Sequence, residues 1–171
     1  MPIPSQPRSG CPVSIALDLF GDRWSLLIVR DMMVRGYRTF REFQRSGEGI
    51  ATNILSDRLQ KLEASGILTH EAVTGDGRST HYRLTEKGIA LAPALLELLL
   101  WSGRHQQTEA PLSVIENMEQ SRAAILAETH RRWLERDSSP ILPPFRKQAA
   151  ANSSPKSKAR SKKTPKGKSK P

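Results

Sequence analysis

The chain has 171 residues, 37% of them apolar and 26% charged, with a formal net charge of +10. That length suits one ordinary domain with appendages, and no apolar run approaches the roughly 20 residues of a membrane span. A single cysteine, Cys11, excludes an internal disulfide and any multi-cysteine metal site. In chain order, residues 1–10 hold three prolines and read as a flexible arm without the apolar segment of a signal peptide, so a cytoplasmic protein is expected. Cys11-Pro12 then opens a helix to about Phe20, with Pro at the first helical position and Gly21 as a left-handed stop. Asp22 caps a second helix that ends near Gly36, with Trp24, Leu27 and Ile28 on one face.

Thr39-Phe40-Arg41-Glu42 is a capping box, a threonine followed three residues later by glutamate. It opens a short helix that turns Phe40 and Phe43 inward. Ser46-Gly47-Glu48-Gly49 is a turn, and Ile50 anchors the entry to a helix over about Ala51 to Ser65. Leu55, Leu59 and Leu62 form that helix's apolar stripe, and Gly66 ends it. Ile67 to Val73 and Ser79 to Leu84 read as two strands joined by the hairpin turn Thr74-Gly75-Asp76-Gly77-Arg78.

Thr85 caps a long helix through Trp101, in which Glu97 is the only charge from Ile89 onward. Pro93 should kink it or mark its effective first turn. A helix apolar on every side must be covered on every side, and a second copy of the chain is the simplest cover for the face this domain leaves bare. That logic makes Leu95, Leu96, Leu99 and Trp101 the expected dimer interface. A second capping box, Ser113-Val114-Ile115-Glu116, opens one more helix to about Glu135.

Beyond Ser138 the Pro, Ser, Ala and Lys content implies a disordered tail. Ten of the 27 Lys and Arg residues fall in residues 146–171, which hold no acid, so the other 145 residues balance at 17 basic and 17 acidic side chains. The expected organisation is an arm over 1–10, a winged domain with its dimerisation helix over 11–107, an added helix over 108–137 and the basic tail over 138–171.

Helix, glycine turn, amphipathic helix and hairpin in that order describe a winged helix-turn-helix, mostly α with a small β-hairpin wing. Such a fold places the second helix in the DNA major groove and the hairpin tip against the backbone. On the face opposite Leu55, Leu59 and Leu62, Thr52, Asn53 and Ser56 are the candidates for base edges, Asn because it pairs bidentately with adenine. Arg58 and Lys61 on the flanks are candidates for phosphate. Asp57 either accepts from cytosine or pairs with Lys61. Arg78, Ser79 and Thr80 at the wing tip are the next candidates, and Thr39, first a helix cap, adds a further phosphate contact. From Arg23 to Lys61 eight basic residues stand against four acids, a local positive sector.

Several segments in order resemble the HxlR-type bacterial transcriptional regulators. They are Cys11-Pro12-Val13, Gly21 to Asp31, Phe40 to Phe43, Gly49 to Leu59 and Tyr82 to Gly88. The resemblance covers roughly Cys11 to Gly103. It implies a homodimer, paired through N- and C-terminal helices, that binds a near-palindromic operator in double-stranded DNA. It also implies regulation by an oxidant or small molecule, since some members sense disulfide or quinone stress through a cysteine at the place of Cys11.

From the residues alone, Cys11 at a helix N-terminus is either a thiolate-prone sensor or a small buried apolar group. The basic tail lies outside the family pattern and resembles those of nucleoid-associated proteins in composition. An architectural DNA binder dominated by the tail is therefore the rival reading, and either would be nucleoid-associated. No P-loop, dinucleotide glycine motif, zinc-protease motif or nucleophile elbow is present, so no enzyme, catalytic residue or cofactor is expected. His70, His81, His105 and His130 lack ligand spacing, so no metal site is expected.

Overall fold

A computed structural model describes residues 9–72 and 80–141. Its elements run α1 (Pro12–Phe20), α2 (Ser25–Val34), α3 (Phe40–Gln44), α4 (Thr52–Ala64), β1 (Leu68–Ala72), β2 (Thr80–Leu84), α5 (Glu86–Ile89), α6 (Ala92–His105), α7 (Leu112–Gln120) and α8 (Arg122–Leu134). β1 and β2 pair antiparallel, with Leu68 opposite Leu84 and Ala72 opposite Thr80. This is the expected mostly helical fold with a hairpin wing.

The main core lies where α2, α3, α4 and the wing meet. Val29, Met32, Phe43, Leu55, Leu62, Ile67 and Leu68 are all nearly solvent-free there. Leu55, Leu59 and Leu62 form the buried stripe of α4. Burying each contributes about 1.5–3 kcal/mol, enough to fix which face of α4 turns outward. A smaller cluster joins Leu96 and Leu100 of α6 to Ile115 of α7. Gly103 of α6 allows that approach, because a Cβ there would meet Ile115 Cδ1 at 2.5 Å.

Local capping explains several boundaries. Asp22 Oδ1 accepts from the N–H groups of Trp24 and Ser25 at 2.8 and 2.9 Å, and so opens α2. The Thr39–Glu42 capping box forms in full. Gly47 and Gly49 take φ of +89° and +78°, the left-handed conformation that the turn between α3 and α4 requires.

Four expectations need correction. Gly21 ends α1 at φ −72°, not in the left-handed region. What the site demands is room, since a Cβ would sit 2.4 Å from the Leu17 carbonyl oxygen. The long helix after Thr85 is two helices: Pro93 lies in the first turn of α6, the second of the two roles expected for it, and the chain breaks before it. The box at Ser113 does not form: α7 is capped two residues earlier by the extended Pro111, which places Ser113 inside the helix. That helix also ends at Gln120, and Ser121 (φ −101°, ψ 14°) separates it from α8.

The fourth correction concerns where the tail begins. Residues 138–141 are docked: Ile141 N–H donates to the Val34 carbonyl at 2.7 Å, and Gly36 lies so close to Ser138 that a Cβ would overlap its carbonyl. α8 is tied to the wing as well. Trp133 Nε1–H donates to the Leu84 carbonyl at 2.7 Å, and Arg136 pairs with Glu71 at 3.1 Å.

Candidate nucleic-acid interface

Once its leucine stripe is buried, α4 turns Thr52, Asn53, Ser56 and Gln60 outward, and all four are exposed. Ala51 caps the helix in extended conformation without a side-chain hydrogen bond, so the first-turn N–H groups have no capping side chain. Exposed hydroxyl and amide groups on the first turns of a helix fit base edges and phosphate. Thr80, also exposed, opens β2 on the wing. Arg78 and Ser79 lie outside the described residues.

Arg58 and Lys61 are not the outward cations that spacing suggests. Arg58 Nε lies 3.5 Å from Asp22 Oδ1, and its Nη2 the same distance from Asp57. Lys61 Nζ donates to the Asp18 carbonyl at 3.1 Å. Both hold α4 against α1 and the α1–α2 turn. Burial opposes ionisation of Asp22, but the Ser25 hydroxyl, the Trp24 and Ser25 N–H groups and Arg58 together outweigh it, so its carboxyl titrates below the ordinary range. Thr39 is engaged too: its hydroxyl lies 2.9 Å from Glu42 Oε2 and accepts from Glu42 N–H.

The positive sector shrinks in the same way. Arg30 donates to Asp31 Oδ1 through Nε and Nη2, and Nη2 also reaches Glu48 at 3.0 Å. Buried Arg35 pairs with Asp31 at 3.2 Å and donates to the Ser46 carbonyl at 3.0 Å. These interactions clamp the α3–α4 turn onto α2, a positioning role that counting charges does not reveal. The i, i+4 spacing of Asp31 and Arg35 is the one sequence signal for it. Burial raises the Asp31 pKa despite Arg30 and Arg35. Arg41 of α3 and Arg45 at its C-terminal cap remain exposed, with no carboxylate partner among the described residues.

Cys11 sits where expected, as the exposed residue that caps α1. The N–H groups of Ser14 and then Val13 favour its thiolate and hold its pKa below the ordinary thiol range. Within its own chain Cys11 is therefore exposed and not a small apolar group of the core. Of the residues expected at a dimer interface, Leu96 is buried within its own chain, whereas Leu95 and Leu99 are half-buried. Trp101 is 56% exposed, and so is its neighbour Leu98, at 50%. α1 has no buried residue and exposes Val13, Ile15 and Leu17. Among the described residues no group of His, Cys, Asp and Glu could hold a metal, and no helix is long and apolar enough to cross a membrane.

A family model of HxlR-like helix-turn-helix proteins matches residues 19–110. The uncharacterised HTH-type transcriptional regulator YybR of Bacillus subtilis is 34% identical over 94 residues, which is 55% of this chain and 74% of YybR. Among solved structures, PA1607, a candidate transcription factor, is 39% identical. It matches with a TM-score of 0.55 over 61% of this chain and 71% of its own. The redox regulator HypR in its oxidised form is 32% identical with a TM-score of 0.52, covering 57% of this chain and all of HypR.

Proposed function

The chain belongs to the HxlR-like helix-turn-helix family and is a transcriptional regulator of the winged helix-turn-helix type, not an enzyme; we propose that it reads a near-palindromic operator as a homodimer, with α4 in the major groove. The observation that carries this reading is the outward row of Thr52, Asn53 and Ser56 on a helix locked from behind by Leu55, Leu59 and Leu62. Asn53 selects adenine and the two hydroxyls tune neighbouring positions. Arg41, Arg45 and the wing neutralise phosphate, which sets affinity without choosing sequence.

Pairing uses the exposed apolar residues of α1 and α6, Val13, Leu17, Leu98 and Trp101 among them. Two-fold pairing of identical reading helices accounts for a palindromic site. Cys11 supplies the switch: an exposed thiolate is the form that oxidants and electrophiles attack. With one cysteine per chain, its products are an inter-subunit disulfide, a mixed disulfide or an adduct. The relative HypR, itself a redox regulator, supports this part of the reading.

Residues 146–171 add ten positive charges. In this reading they raise affinity for any DNA while α4 selects the site. The test is selection of bound duplexes from a random pool by the full chain and by a form lacking residues 146–171. An inverted repeat enriched by both forms supports the proposal. Sequence preference that vanishes with the tail would replace it with the architectural reading.

A further inference from the structure

A cleft of about 190 Å³ lies apart from α4, between β2, the end of α2 and the last turns of α8. Met32, Met33 and Ile89 give it an apolar lining, and Tyr82 and Trp133 add two aromatic rings. Two half-buried guanidinium groups, Arg38 and Arg83, also line it.

Neither of these arginines forms an ion pair with a carboxylate among the described residues. Arg38 Nη1 donates to the Met32 and Tyr37 carbonyls, each at 2.9 Å. Arg83 Nη2 donates to the Trp133 carbonyl at 3.2 Å, and its guanidinium lies 5.6 Å from the Trp133 ring centroid. The other charged groups of the lining are already engaged. Arg132 pairs with Glu128, Arg136 pairs with Glu71, and Asp137 accepts from Ser139 N–H at 2.8 Å. Burial lowers the Arg38 pKa, and the nearby positive charge of Arg83 lowers it further, against the opposing pull of Glu42 and Asp137.

Two neighbouring half-buried guanidinium groups thus face the cleft with no carboxylate in direct contact, Glu42 and Asp137 acting on Arg38 only at longer range, and a bound anion would supply the direct partner they lack. Guanidinium groups present paired donors to a planar carboxylate. Size narrows the choice: an apolar cavity of about 150 Å³ accepts benzene, so this cleft has room for one ring and its carboxylate. We infer that the cleft binds a small carboxylate with a flat apolar body, its charge between Arg38 and Arg83 and its ring against Trp133 and Tyr82. Because the cleft joins α8 to the wing strand, occupancy also changes DNA affinity. That consequence, unlike the binding itself, rests on the regulator reading above.

The experiment titrates the full-length protein with benzoate, with the neutral isostere benzamide and with inorganic phosphate. Calorimetry and the Trp133 indole N–H resonance are the readouts. Saturable benzoate binding at least about ten-fold tighter than either comparison ligand is expected, with the indole signal shifted and the preference lost in Arg83→Gln. Equal binding of benzamide or phosphate, or an unmoved Trp133 signal, would overturn the site. The wild-type comparison stands even if the variant folds poorly. Benzoate binding that leaves DNA affinity unaltered would overturn the regulatory consequence alone. Failure to bind DNA both with and without benzoate would instead count against the regulator reading.

Discussion

At the scale of single residues, apolar positions and caps are easier to read from sequence than charged ones. Periodicity assigns Leu55, Leu59 and Leu62 to the core because burial follows helical spacing. It cannot tell whether a cation on the flank of a helix faces DNA or a neighbouring backbone carbonyl, which is why Arg58 and Lys61 turn out to brace α4 against Asp22 and Asp18. Thr39 is legible as a cap because a capping box is a local device. Thr39→Ala should cost about 1 kcal/mol in chemical denaturation, and an unchanged midpoint would remove the cap from the account.

Glu42 gives that site a pH signature. Burial works against its charge, yet the N–H groups of Arg38 and Thr39 and the Thr39 hydroxyl outweigh it, and its pKa falls below the ordinary value. Its contribution to stability is therefore present above the unfolded pKa of about 4.3 and is lost as pH falls through the lower folded value. Glu42→Gln should flatten stability in that acid range, as measured by denaturation at stepped pH. Cys11 makes the other residue-scale prediction. Its alkylation by iodoacetamide should reach half-maximal rate below the thiol's usual pH of about 8.5. Cys11→Ser should bind DNA normally and ignore diamide; an equal oxidant response in both proteins would exclude Cys11 from the switch.

At the scale of elements, the order of helices and strands is legible in the sequence, but what covers α6 is not. The apolar run from Ile89 to Trp101 implies one face covered by the domain and the other by a second chain, without saying which residues fall on which. In the fold, α7 packs back and buries Leu96 and Leu100 against Ile115, a long-range packing that no local pattern encodes. The two kinds of α6 position should therefore separate experimentally. Leu96→Ala should cost about 2–5 kcal/mol of monomer stability. Leu98→Glu should leave stability within about 0.5 kcal/mol and halve the apparent mass on a sizing column. An unchanged elution volume would place the pairing surface elsewhere.

At the scale of the whole molecule, charge separates into three populations with different work. Arg30, Arg35 and Arg58 brace the helix-turn-helix from inside, and exposed Arg41 and Arg45 stand ready for phosphate. Residues 146–171 carry ten further cations. Removing them should make the slope of log affinity against log salt shallower by about 0.9 for every phosphate they neutralise, without changing which sequence is preferred. The central claim is that the outward face of α4 chooses the sequence. It is tested most directly by comparing wild type with Asn53→Ala/Ser56→Ala on a selected operator and on a scrambled duplex at one salt concentration. The account predicts a loss of roughly ten-fold or more on the operator and little change on the scrambled duplex; equal losses on both, or no loss on the operator, would contradict it.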